Sequence, residues 1–157
     1  MNSNKELINN FFSAFQQLDS RSMAGCYTDS IVFFNPLFGL LSATEVNGMW
    51  EMFCTTAIDF SLTYGNIQQL DEEYYTCDWV ATYRLPVSNR RVVSKVRANM
   101  RLAEGKIIEH SDAFSVHQWS KQALGLSGEL FGWNSFFQRG LQNRAKKKLN
   151  EFLQLKW

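Results

Sequence analysis

The chain is 157 residues long, 45% hydrophobic and 20% charged, with a formal charge of +1. That length suits one domain, residues 1–157, with a full core, and the charge balance gives no electrostatic reason to expect nucleic acid or an anionic membrane as partner. Cys26, Cys54 and Cys77 are widely spaced and odd in number, which argues against a disulfide framework and leaves buried thiols in a reducing compartment; with no signal-peptide core and no apolar run of membrane-spanning length, the expected location is cytoplasmic.

The first predicted helix opens on Ser3 and Glu6, which have capping-box spacing, and continues through Leu7, Ile8, Phe11, Phe12, Phe15 and Leu18 on one broad apolar face. Asp19 or Ser20 can cap a short second helix around Met23 to Tyr27. The β-rich run Ile31-Val32-Phe33-Phe34 then predicts a strand stopped by Asn35-Pro36. Ser42 and Glu45 repeat the capping-box spacing, and Val46, Met49, Trp50 and Phe53 follow at i, i+3, i+4 and i+7 as a third amphipathic helix.

Beyond it the period changes to two. Phe60, Leu62 and Tyr64 alternate with polar residues, then Tyr75, Cys77, Trp79, Ala81 and Tyr83, then Val92, Val96, Ala98, Met100 and Leu102, with Ser94 as the exception. A last strand is expected over roughly Ile107 to His117. Pro86 to Asn89 and Glu104-Gly105 are the expected turns, and short connections between successive strands imply an antiparallel sheet. Trp119 to Leu124 predicts a short helix broken by Gly125 and Gly128. Phe137, Leu141, Ala145, Leu149 and Phe152 mark a long terminal helix capped by Asn134 or Ser135. Helices laid on an antiparallel sheet make the fold class α+β.

That element order resembles the NTF2-like superfamily. Phe33-Phe34-Asn35-Pro36-Leu37-Phe38-Gly39 followed by Met49-Trp50 resembles the first-strand and third-helix signature of its SnoaL-like, ketosteroid-isomerase-like bacterial members. Gly105 to Phe114 resembles their last strand, and Trp119 to Gly132 the tail of one subgroup. The resemblance spans nearly the whole chain. It implies a cone-shaped, cystatin-like fold whose strongly curved sheet wraps the helices and leaves an apolar pocket at its open end. It also implies a helical C-terminal extension over about 119–157 and homodimers across the outer sheet face. It does not choose a reaction, because relatives isomerise steroids, cyclise polyketides, hydrolyse epoxides or catalyse nothing.

His110 and Asp112 are the candidate catalytic pair. Residues i and i+2 of a strand share a side, about 6.6 Å apart along it, and Phe114 and Val116 make that side apolar and pocket-facing. A carboxylate among rings is penalised by burial, while a neighbouring imidazolium favours it; such a pair titrates as a unit suited to acid–base work. The resemblance implies the same role for Asp112, since SnoaL-like cyclases use a last-strand Asp. The alternative is that both groups merely finish the inside of the sheet.

Asn35 stands where ketosteroid isomerases carry the Asp general base, the oxyanion-hole Asp of those enzymes falls near Ala98, and the first helix offers no Tyr, so steroid isomerisation is not expected. Asn35 either bonds a ligand oxygen or simply makes the turn before Pro36. An epoxide-hydrolase-like set of Asp112, Asn35 and one of Tyr27, Tyr64 or Tyr83 lacks its Arg, because Arg97 and Arg101 have the outward parity. Phe33, Met49, Trp50, Phe53, Trp79 and Phe114 are the candidate ligand-binding walls, though aromatic and Met residues at such spacing also serve as plain core. Trp133, Phe136 and Phe137 either close the pocket mouth or meet a second subunit. The basic tail, Arg139, Arg144 and Lys146 to Lys148, reads as a solvated helix face. His117 has the opposite strand parity to His110, so no metal site is expected. No Gly-rich phosphate loop implies a cofactor.

Two readings follow. In one the protein is an enzyme, a cofactor-independent isomerase, cyclase or hydrolase acting on a small apolar oxygenated molecule. In the other it is a ligand-binding or docking module without catalysis.

Overall fold

Phe11, Phe12 and Phe15, three fully or almost fully buried rings of the first helix, lie against the inner face of a six-stranded sheet. The computed structural model describes residues 3–86 and 88–155. Helices α1 (Ser3–Gln16) and α2 (Ser20–Gly25) precede β1 (Tyr27–Asn35) and β2 (Gly39–Leu41). Helix α3 (Ala43–Thr56) leads into β3 (Ile58–Gln69), β4 (Tyr74–Arg84), β5 (Arg91–Ala103) and β6 (Lys106–Ala113). Helices α4 (Val116–Leu124), α5 (Leu126–Phe131) and α6 (Ser135–Leu155) close the described chain. Strand order is β2-β1-β6-β5-β4-β3. All pairings are antiparallel except β1 with β6, which run parallel. The architecture is the α+β arrangement expected from the sequence.

Caps set the helix boundaries. Ser42 and Glu45 form both bonds of a capping box on α3, Asp19 caps α2, and Asn134 caps α6 by accepting from the N–H groups of Phe136 and Phe137. Ser3 already lies inside α1, and the residues before it lie outside the described residues. Val87, within the expected Pro86–Asn89 turn, also lies outside them.

Four boundaries differ from expectation. The second helix ends at Gly25, and Tyr27 instead starts β1. The chain after Pro36 turns back as the three-residue β2, too short to leave a pattern. The last strand stops at Ala113: Ser115 accepts from Gln118 N–H and starts α4, so Val116 and His117 are helical and strand parity does not apply to them. Gly128 sits inside α5 rather than ending a helix. A Cβ there would stand 1.9 Å from the Ser120 carbonyl oxygen, so glycine is what lets α5 approach α4. Gly125, at φ 68°, does break the chain between the two.

Where β6 ends, β5 loses its neighbour at residues 91–96. The Gln122 side chain of α4 takes that place, accepting from Val93 N–H and donating to Val93 C=O, and so pairs backbone groups that a strand would otherwise pair. Helix α6 returns across α3, with Leu149 and Leu153 seated on the bare face of Gly48. Among the described residues no helix is long and apolar enough to cross a membrane.

Candidate functional site

The inner face of β6 carries Ile107, His110 and Asp112, all buried. His110 is the parallel partner of Phe33 in β1 and the antiparallel partner of Met100 in β5, and Asp112 faces Ala98. Both polar side chains are therefore held under the helices, where they need partners.

They find them in one continuous string. The Trp50 indole N–H donates to Tyr27 Oη at 3.0 Å, and Tyr27 Oη lies 2.8 Å from His110 Nδ1. His110 Nε2 lies 2.9 Å from Asp112 Oδ1, which also accepts the Trp79 indole N–H at 3.4 Å. Donor accounting orients it. Because Tyr27 already accepts from Trp50, its own proton points at Nδ1, so a neutral imidazole carries its hydrogen on Nε2 and donates it to the carboxylate. In that arrangement each N–H and O–H proton of the string is donated once. Burial drives the Tyr27 phenol well above its ordinary pKa, with the Trp50 bond opposing, so Tyr27 stays a hydroxyl donor. The imidazole is boxed by Phe11 and Phe33 edge-on at 5.6 and 5.0 Å and by the Trp50 ring, nearly parallel at 6.4 Å.

Trp79 reaches Asp112 from β4 across β5, passing the small, fully buried Ala98 that lies between the two strands. Both bonds to the carboxylate fall on Oδ1, which leaves Oδ2 without a protein partner among the described residues.

Asp112 forms part of the wall of a cavity of about 460 Å³, within the size range of small-molecule sites. Of the residues singled out from sequence, Asn35, Met49, Trp50, Phe53, Trp79 and Phe114 line it with Asp112. Phe33 and His110 do not. Phe33 is fully buried behind Trp50, their rings edge to face at 5.9 Å, and both ring nitrogens of His110 are engaged in the string. Asn35 makes the anticipated turn before Pro36 and also lines the cavity. Its Oδ1 accepts from Leu37 and Phe38 N–H at 3.0 and 2.7 Å, making the turn, and its amide nitrogen has no partner among the described residues. Towards the cavity Asn35 can thus donate but not accept.

Several further residues form the wall; of these, the sequence offered Tyr83 only as one of three tyrosines for a hydrolase-like set, and Arg144 and Lys148 only as a solvated face. Tyr83 and Ser94 line the cavity and bond each other, and Tyr83 also accepts from Trp119 Nε1 at 3.1 Å. Burial pushes the Tyr83 phenol up against those bonds. A cavity-facing serine explains why Ser94 interrupted the apolar alternation. Helix α6 supplies Leu141, Arg144, Ala145 and Lys148. Their i, i+3, i+4, i+7 spacing is one helical face, the same face as the apolar stripe, and was the available signal. Trp133 and Phe136 do not line the cavity and are 67% and 79% exposed; the mouth is bordered by the middle of α6 instead.

No set of three or more His, Cys, Asp or Glu among the described residues could hold a metal ion. His117 sits on α4 with Nε2 3.2 Å from the Glu129 carbonyl oxygen. Burial raises all three thiols, Cys54 and Cys77 to about 11, so none is an activated nucleophile.

The sequence profile of the SnoaL-like domain matches residues 8–110. No curated protein matches the chain. Among solved structures, an NTF2-like protein from Burkholderia pseudomallei superposes with a TM-score of 0.70 at 15% identity, covering 79% of this chain and 99% of its own. A protein of ketosteroid isomerase-like fold from Catenulispora acidiphila, in complex with trimethylamine, gives 0.68 at 11%, covering 79% and 95%. TerC, co-crystallised with polyporic acid, gives 0.67 at 12%, covering 78% and 98%. Structures of this fold also include a candidate polyketide cyclase, a candidate isomerase and a candidate hydroxylase. At such identities the likeness is one of fold, and the fold hosts several chemistries.

Proposed function

Because the chain belongs to the SnoaL-like domain family, we propose that it binds a small, largely apolar, oxygen-bearing molecule in the cavity and moves a proton on it with Asp112. The observation that carries this reading is the division of labour on one carboxylate. Oδ1 is held by His110 and Trp79, and Oδ2 remains for a ligand. A carboxylate fixed by two donors keeps its orientation through a reaction, which is what positioned acid–base catalysis requires.

In this scheme Asp112 Oδ2 takes a proton from carbon or oxygen next to a carbonyl and returns it elsewhere. Asn35 Nδ2 donates to the ligand oxygen on which charge develops. His110 is a positioning residue, touching Asp112 and not the ligand, and Tyr27 with Trp50 fixes its tautomer. Met49, Phe53, Trp79 and Phe114 supply apolar contact. Acid, base and donor are all side chains, so the scheme calls for no cofactor. Isomerisation, cyclisation and water addition all fit it. The reading takes the chain as one domain, located in the cytoplasm and dimeric through the outer sheet face, where Val32, Phe34 and Tyr74 are 40–48% exposed.

The family resemblance favours a ligand carrier instead: it implies that Asn35, and a residue near Ala98, stand where ketosteroid isomerases carry carboxylic acids. Hydrogen–deuterium exchange at the α-carbon of 2-tetralone in D2O, followed by NMR, separates the two. The enzyme reading expects faster exchange than in buffer, and loss of about 100-fold or more of that gain in Asp112→Asn. Tetralone that binds without faster exchange would leave only the carrier.

A further inference from the structure

The cavity is lopsided in charge. Among the described residues its one acidic wall group is the buried Asp112, whereas its rim carries Arg84 from the end of β4 and Arg144 and Lys148 from α6. Arg84 is paired with Asp59 at 3.3 Å. Arg144 and Lys148 have no acidic partner among the described residues. They stand one helical turn apart, on the face that also presents Leu141 and Ala145 to the cavity.

Arg144 and Lys148 are both solvent-exposed, and like charges at i and i+4 of a helix repel modestly. An anion placed between them removes that penalty, and the mouth of a low-dielectric cleft concentrates the field that attracts one. The other end of the same cavity presents a carboxylate, which repels an anion and accepts from a hydroxyl or an acidic C–H. Apart from Asn35, Thr56, Ser94 and the Tyr83 hydroxyl, the remaining uncharged wall is aromatic and aliphatic.

We infer that the ligand is an apolar carboxylic acid, bound with its carboxylate at Arg144 and Lys148 and its reacting end at Asp112. This rests on the proposed reading of the cavity as a ligand site. It assigns α6, a helix whose charge resembles a solvated face, as the element that selects and orients the ligand.

Naphthalene-2-carboxylate and its uncharged isostere naphthalene-2-carboxamide test it, with binding to the full chain measured by calorimetry at low salt. The carboxylate should bind about tenfold more tightly than the amide. In the Arg144→Gln/Lys148→Gln double variant the two should agree to within about twofold. A control pair, Lys146→Gln/Lys147→Gln, lies off the cavity wall and should keep the preference. Equal affinities in the unaltered protein, or a preference that survives loss of Arg144 and Lys148, would overturn the carboxylate subsite and leave the cavity reading standing. Failure of both probes to bind overturns both.

Discussion

The hydroxyl of Tyr27 meets His110 Nδ1 at 2.8 Å, on the edge of the imidazole opposite Asp112. The residue that orients the candidate base therefore comes from the first strand and the base itself from the last. Replacing Tyr27 by Phe removes one oxygen and strands two buried groups, the Trp50 N–H and His110 Nδ1. We expect Tyr27→Phe to lose about 2–4 kcal/mol of stability in urea. His110 is expected to become more mobile, read as a broadened imidazole resonance by NMR.

The same phenol predicts an alkaline limit. Its folded pKa lies well above 10.0 because it is buried, and that of Tyr83 is raised for the same reason. Below the ordinary tyrosine value both states are protonated and nothing is lost. Above it the unfolded chain ionises while the folded one holds its protons, so stability falls as pH rises. The slope approaches about 1.4 kcal/mol per pH unit for each such tyrosine, from about pH 10 up to its folded pKa. Stability curves at pH 9, 10 and 11 should show a smaller decline in Tyr83→Phe than in the unaltered chain. An equal decline would contradict the burial argument.

Phe11 is fully buried and packs on Phe12, Tyr27, Trp50 and His110. Phe11→Ala should cost about 3–5 kcal/mol, the usual penalty for an emptied aromatic site. Phe11→Leu keeps most of the volume and should cost less. Chemical denaturation of the two variants checks the order.

Gly128 allows α5 to touch α4 through backbone alone. A methyl group 1.9 Å from the Ser120 carbonyl oxygen forces the helices apart, so Gly128→Ala should destabilise by about 1–3 kcal/mol. Faster amide exchange in α4 and α5, with β4 and β5 unaffected, is the expected signature.

On the outer sheet face, Phe34 is 43% exposed and Val32 48%. Light scattering should show a dimer that Phe34→Glu converts to a monomer with an unchanged circular dichroism spectrum. A monomeric unaltered chain would remove the dimer from the proposal.

Much of this arrangement was legible because strand periodicity is strict. His110 and Asp112 point inward as two-residue alternation requires, and the capping box at Ser42 and Glu45 set the start of α3. Alternation also misled: Val116 continues it numerically beyond Phe114, yet Ser115 between them caps a helix, a local bond that outweighs the pattern. Tyr27 was hidden for another reason. Its partner lies 83 residues away, and no local spacing reports a parallel pairing between the first strand and the last. The charge of Arg144 and Lys148 was plain, but which side of α6 meets the cavity depends on how that helix lies across α3 at Gly48.

The parallel pairing of β1 with β6 has a kinetic consequence. Contacts of such long sequence separation close slowly, and this one spans α3 and four intervening strands. A nascent or clipped chain ending before β6 can already possess Trp50, Trp79 and much of the greasy wall, yet it has neither acid nor imidazole. Partly folded molecules are thus able to collapse around hydrophobic compounds before His110 and Asp112 are in place, and on the proposed reading the proton-moving carboxylate arrives only with the final stage of assembly.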